Sequence, residues 1–209
     1  MTFIIELRQF ATKVMMALSE SKIAMIGAGG HAESVYGCLT QRQLSCVSHI
    51  VGKISGQNST LSHLITYETD DALLTASAVN TFVNGIGANP KTHLRKKIYE
   101  MYKSRGYRCE TIISEMAHIH EDTCLLEGAQ IFAGATLNIK ASIGENTIIN
   151  TGALIEHGAV IEKHSHIAPG AIILGDAIIR SGSFIGAGSV VLPRVEVGKN
   201  SIVGALVKV

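Results

Sequence analysis

The stretch INTGALIEHGAVIEKHSHIAPGAIILG, residues 149–175, is built on a six-residue step. Ile149, Ile155, Ile161, Ile167 and Ile173 stand six apart, and Ala153, Ala159, Ser165 and Ala171 keep the same interval between them. Followed in both directions, the aliphatic register runs from Ile119 to Val209, and all sixteen positions are Ile, Leu or Val. Four places after each of the first fifteen stands a small or β-branched residue, such as Thr123, Ala135, Ser183 or Val195. Neither the helical period nor strand alternation produces this pattern. A hexapeptide repeat does, and it predicts a parallel β-helix. Each six-residue unit makes one flat side of a triangular prism, so about eighteen residues complete a coil. The aliphatic residue fills the axis, the small one lets the chain bend near a corner, and stacked coils bury a continuous core.

Upstream of the repeat the pattern changes. In KIAMIGAGGHAESVYGCLTQRQL, Lys22–Ile26 reads as a buried strand, Gly27–Gly30 as a tight turn and His31–Gln41 as a helix. Strand, glycine-rich turn and helix open a nucleotide-binding α/β unit. There glycines let the backbone approach a phosphate, and the helix start supplies N–H donors. The turn fits the G-x-G-x-x-A variant of the dinucleotide fingerprint, but the acidic residue expected about 20 positions on is missing. A ligand other than a dinucleotide therefore fits better, and the alternative is a glycine turn that binds nothing. TFVNGI, residues 81–86, reads as a further strand ending at Gly87-Ala-Asn89-Pro90, and ligands sit beyond such strand ends. KTHLRKKIYEMYKSR, residues 91–105, reads as a helix with Leu94, Ile98 and Met101 on one face and its charges on a solvated face. Tyr107–Ile113 reads as a last strand. The expected division is an N-terminal extension at 1–21, helical from the spacing of Phe3, Leu7, Phe10, Val14 and Leu18; an α/β domain at 22–116; and the β-helix at 117–209.

Composition excludes several classes. The 209 residues are 46% hydrophobic and 17% charged, with formal net charge +1. Residues 1–116 carry 12 Lys and Arg against 9 Asp and Glu, and residues 117–209 carry 6 against 8. Neither part is basic enough for a nucleic-acid surface. No apolar run reaches membrane-spanning length. The first residues lack a basic start followed by a clean apolar core, so no signal peptide is expected. Cys38, Cys46, Cys109 and Cys124 show no framework spacing, which suits reduced thiols in the cytoplasm.

The interior of the β-helix is aliphatic, so chemistry belongs on its outside. His157, two places after Ile155, is either a general base held on a rigid sheet or an exposed corner residue. Glu156 precedes it, but neighbours on a strand point to opposite faces. His118, His120, His157, His164 and His166 show no pair at the eighteen-residue stacking interval, so no metal site is expected within one chain. Gly175 lies one coil beyond His157, and its backbone N–H is placed to donate to a developing oxyanion.

The order KIAMIGAGGH, GIGANPKTHLRKKIYE and ASIGENTIINTGALIEHGAVIEKHSHIAPGAIILG resembles the NeuD/PglD-type sugar acyltransferases over roughly residues 22–209. The resemblance implies a Rossmann-like α/β domain that binds a nucleotide-linked amino sugar. It also implies a left-handed β-helix that binds acetyl-CoA, and a homotrimer with active sites between adjacent β-helices. Position by position, it makes His157 the catalytic base and Glu156 its acid neighbour. Asn150 falls in a substrate-facing segment, and Gly29, Gly30, His31 and Gly87 in the nucleotide-sugar loops. His166 matches a contact to acetyl-CoA, and Ala187 and Ala205 line the CoA channel; Gly175 joins them as the amide donor. The chain departs from the family in three places. Gly158 stands where an acidic residue usually follows the base, the Asp pair after the second strand is absent near SHIVGK, and SEMAHI replaces a His-Pro junction.

The expected function is a cytoplasmic, acetyl-CoA-dependent N-acetyltransferase on a nucleotide-linked amino sugar, a 4-amino sugar in surface glycan precursor synthesis. It transfers directly, needs no metal, and has no nucleic-acid or membrane partner. The rivals are a sialic acid O-acetyltransferase, a non-catalytic nucleotide-sugar-binding trimeric scaffold, and a metal-dependent lyase on the same frame.

Overall fold

The computed structural model describes residues 22–54, 59–76 and 79–209. The expected helix at 3–19 lies outside them. The N-terminal part is a small α/β unit. Its strands β1 (Ile23–Ile26), β2 (Val47–Val51), β3 (Ile65–Tyr67), β4 (Thr81–Asn84) and β5 (Arg108–Cys109) form one parallel sheet in the order β3-β2-β1-β4-β5. The two strands that flank β1 are themselves flanked, so β1 is central and all four residues of IAMI are buried.

The helix expected over 31–41 is two helices. α1 (Gly30–Tyr36) ends at Gly37. Thr40 then starts α2 (Gln41–Cys46) with a capping box, its hydroxyl accepting the Gln43 N–H while the Gln43 side chain accepts the Thr40 N–H. That reciprocal pair satisfies two orphan donors and fixes a new helix start where the hydrophobic spacing alone shows none. α3 (Asp70–Ala76) and α4 (Leu94–Ser104) follow. The buried face of α4 is Arg95, Tyr99 and Tyr102, not the face of Leu94, which is exposed. Arg95 therefore leaves the solvated charge run to which its neighbours belong.

The strand expected over 107–113 is split between two sheets. β5 closes the α/β sheet, and β6 (Ile112–Ile113) pairs with Gln130–Ile131 as the start of the β-helix. From there the chain winds a prism of three parallel sheets. The first side carries the Gln130, Ile148, His166, Phe184 and Ile202 strands, the second His118, Thr136, Leu154, Ile172 and Val190, the third Cys124, Ser142, Val160, Ile178 and Glu196. Residues eighteen apart pair in register, as Thr136 with Leu154 and Leu154 with Ile172. The second residue of each strand points inward: Leu137, Ile143, Ile149, Ile155, Ile161, Ile167, Ile173, Ile179 and Ile185 are fully or almost fully buried. Each such side chain removed from water stabilises by about 1.5–3 kcal/mol. Ala129, Ala135, Ala153, Ala159 and Ala171 pack beside them. A third six-residue register emerges at the turns, where Lys140, Asn146, Gly152, Gly158, His164, Gly170 and Asp176 all take positive φ.

The α/β unit packs on the first side of the prism. Ile112, Phe132 and Ile148 share a cluster with Ile23, Val35, Ile50 and Val83. That contact decides which candidate residues can meet.

Candidate functional site

His157 sits on the turn that carries the chain from the second side to the third, and it is exposed. Glu156 Oε2 accepts the main-chain N–H of His157 at 3.3 Å, so its carboxylate braces the turn. Gly175 lies one coil further on, beneath the ring: a Cβ built there would stand 2.5 Å from Cε1 and 2.6 Å from Nε2 of His157. Among the described residues the Gly175 N–H enters no backbone hydrogen bond, whereas the Asp176 N–H donates to the His157 carbonyl at 3.0 Å. A free amide beside an imidazole is the pairing that acyl transfer uses, one group for the proton and one for the oxyanion. Gly158 takes φ +66°, and the Asp176 carboxylate occupies the space where a side chain on it would begin.

The other candidates lie elsewhere. Gly29 and Gly30 have open space where a Cβ would stand, and Gly87 lies against His31. His31 reaches the first side, where its ring is tilted against Phe132 with centroids 5.6 Å apart. His166 is on that side too, 9% exposed, its ring stacked on Phe184 at 4.7 Å. Asn150 follows the Ile148–Ile149 strand at the edge between first and second sides, its Oδ1 accepting the Thr151 N–H at 2.8 Å. Ala187 and Ala205 occupy the same edge in later coils, where Ala187 accepts the Leu206 N–H at 2.9 Å. Within one chain, then, His31, Asn150, His166, Ala187 and Ala205 lie along the first side and its edge in different coils, with Gly29, Gly30 and Gly87 in the α/β loops that carry or adjoin His31. Glu156, His157 and Gly175 stand at the far edge of the second side.

Sequence reading missed a buried polar hub between the two parts. The Asn84 side chain, fully buried, donates to the Arg95 carbonyl and to Asn146 Oδ1, both at 3.0 Å. Arg95, 5% exposed, donates from Nη1 to the Asn84 and Ile86 carbonyls and from Nε to the Asn146 carbonyl. Burial pulls its guanidinium down to about 10, which leaves it charged at neutral pH. Among the described residues Arg95 Nη2 and His166 Nδ1 are buried without a hydrogen-bond partner, and both residues line a small cavity with Asn146, His164 and Phe184. Burial also lowers His31 and His164 to about 4 and His166 to about 3, with the Arg95 charge adding to the effect. No sequence signal marks Arg95, because its partners lie in other elements.

Among the described residues no group of three or more His, Cys, Asp or Glu is placed to hold a metal ion. No helix among them is long and apolar enough to cross a membrane.

Residues 140–175 and 176–209 match the family model of the bacterial transferase hexapeptide (six repeats). No curated protein matches the chain. Solved structures do. A mutant perosamine N-acetyltransferase from Caulobacter crescentus, in complex with CoA and GDP-perosamine, is similar with TM-score 0.79 and 25% identity over 90% of this chain and 88% of that one. PerB from the same organism, with the same two ligands, gives TM-score 0.75 and 26% identity over 90% and 88%. The acetyltransferase domain of PglB from Neisseria gonorrhoeae, in complex with acetyl coenzyme A, gives 0.76 and 24% over 91% and 93%. The resemblance to the NeuD/PglD-type sugar acyltransferases that the motifs carry therefore extends to the three-dimensional structure.

Proposed function

We propose that this hexapeptide-repeat chain is an acetyl-CoA-dependent N-acetyltransferase acting on a nucleotide-linked 4-amino sugar. The observation that carries the reading is the His157 ring against Gly175, whose N–H enters no backbone hydrogen bond among the described residues, on a chain whose solved neighbours hold CoA and GDP-perosamine. His157 takes a proton from the sugar amine as the nitrogen attacks the thioester carbonyl. The Gly175 N–H donates to the oxygen of the tetrahedral intermediate; as the C–S bond breaks, His157 returns the proton to the sulfur and CoA leaves as the thiol. Holding both reactants also removes the entropic cost of a bimolecular encounter. Glu156 braces the turn that aims the ring.

The two groups of candidates meet only if one copy's second–third edge faces another copy's first side. Ile139 and Leu192, 38% and 36% exposed, flank His157 along that edge and supply apolar surface for another copy to cover. We assign the assembly as a homotrimer with shared sites, the β-helix of 117–209 as left-handed, and 22–116 as a Rossmann-like nucleotide-sugar domain. Gly29, Gly30, His31, Gly87 and Asn150 hold the sugar nucleotide; His166, Ala187 and Ala205 line the CoA path. The place of action is the cytoplasm, in glycan precursor synthesis.

The test is thiol release from acetyl-CoA with UDP-, GDP- and dTDP-4-amino sugars, sialic acid and its CMP form as acceptors. Turnover with one 4-amino sugar supports the proposal. Turnover with sialic acid alone moves the acceptor to a hydroxyl. Absence of acetyl-CoA binding overturns the enzyme reading.

A further inference from the structure

His31 is held by hydrogen bonds whose directions are set from a backbone carbonyl outward. The Asn84 carbonyl receives Arg95 Nη1 at 3.0 Å and Gln130 Nε2 at 2.8 Å. A carbonyl only accepts, so the end of Gln130 turned toward it is the NH₂. The other end, Oε1, then faces His31 Nε2 at 3.0 Å. An amide oxygen also only accepts, so the ring proton resides on Nε2. In the neutral ring this leaves Nδ1 as a bare lone pair. The ring stays neutral at pH 7, since burial and the nearby Arg95 charge pull its pKa down to about 4.

Nδ1 has no hydrogen-bond partner among the described residues. Gly87 runs along that edge of the ring: a Cβ there would stand 3.3 Å from His31 Cβ and 3.9 Å from Nδ1. The backbone of Gly87 is not in the left-handed region, so conformation does not require glycine at this position. What glycine contributes is an open approach to the lone pair.

We propose that His31 is a specificity-determining hydrogen-bond acceptor: Nδ1 receives an O–H or N–H of the sugar and does not hold the diphosphate. The proposal rests on the nucleotide-sugar reading. A phosphate oxygen has no proton to offer and would set lone pair against lone pair. A sugar hydroxyl or amine donates, and the Asn84–Gln130 relay keeps the ring in the one tautomer that can receive it. Gln130 thereby acts as a positioning residue, reaching from the β-helix into the α/β loop.

Two measurements test this. Long-range ¹H–¹⁵N spectra of the wild-type rings should show His31 as the neutral Nε2–H tautomer from pH 8 down to about 5. An Nδ1–H tautomer or an imidazolium at pH 7 overturns the proposal, whatever the protein binds. Calorimetry on wild type and His31→Leu should then compare GDP and UDP with their 4-amino-sugar conjugates. Loss of one hydrogen bond predicts about tenfold weaker binding of the conjugate and under about twofold change for the bare nucleotide. Equal losses for both overturn it. A wild type that binds neither probe counts against the nucleotide-sugar reading, while the ring spectrum still decides the tautomer on which this proposal depends.

Discussion

The His157 imidazole lies directly over the main chain of Gly175, with Nε2 2.6 Å from where a Cβ on residue 175 would stand. Gly175→Ala must therefore displace the ring. His157 is exposed and its ring can swing outward, so the cost falls on the site and not on the fold. The expected result is at least a tenfold drop in CoA release with Tm within about 3 °C of wild type. A wild-type rate in this variant would remove His157 from the chemistry.

Gly144→Ala makes the opposite prediction. A Cβ there runs into the main-chain N of Lys163 and stands 2.8 Å from the Glu162 carbonyl carbon. Backbone in a stacked coil cannot swing aside, so overpacking costs about 1–3 kcal/mol. Thermal melting should show a loss of several degrees that Gly175→Ala does not.

His157→Ala should fold like wild type, since it removes an exposed side chain. The role of general base proposed for it corresponds to about 10²–10⁴ in rate. Single-turnover kinetics with acetyl-CoA and a 4-amino sugar should fall by that factor, with acetyl-CoA affinity changed less than about threefold.

Asn84→Ala strips the hub between the two parts. It leaves the buried Asn146 Oδ1 and the half-buried Ile86 N–H without their partner, and takes from the Arg95 carbonyl the bond it accepts in addition to its helical one. Unpaired buried groups cost about 1–3 kcal/mol each, partly relieved by water, so a net loss of about 2–4 kcal/mol is expected. Chemical denaturation should show it as a lower midpoint with unchanged slope.

Three histidines shielded by the fold, His166 buried and His31 and His164 half-buried, make stability depend on pH. His31, His164 and His166 titrate lower in the fold than the ordinary value of about 6.5. The unfolded chain therefore takes up protons first as pH falls. Stability is complete above about pH 6.5 and declines toward pH 4. Tm measured at pH 7.5 and 5.0 should fall at the lower pH, and His164→Gln should flatten the decline. A Tm that rises toward pH 5 would contradict the burial of these rings.

Much of the fold was legible because the hexapeptide register is local. Ile155, Ile161 and Ile167 report their own burial through spacing alone, and a six-residue step closes a prism whatever lies around it. The strands Ile23–Ile26 and Thr81–Asn84 were legible for a similar reason, as short apolar runs bounded by glycine. The break between α1 and α2 was not. It depends on one side chain folding back onto its own turn, which hydrophobic spacing does not register. Arg95 was misplaced because one charge among KTHLRKK looks like the others until its partners appear.

By itself, then, the amino-acid order determined the β-helix, its coil length, the strands that open the α/β unit and the turn that displays His157. Each is written in residues close together in the chain. Only the tertiary structure decided that the α/β unit docks on the first side of the prism, and that His31 and His166 therefore stand apart from His157. It alone brought Asn84, Arg95, Gln130 and Asn146 together and set the proton on His31. Those relations join residues as far as 99 positions apart, as in the His31–Gln130 bond, and they exist only once two surfaces have packed and water has left the polar groups between them.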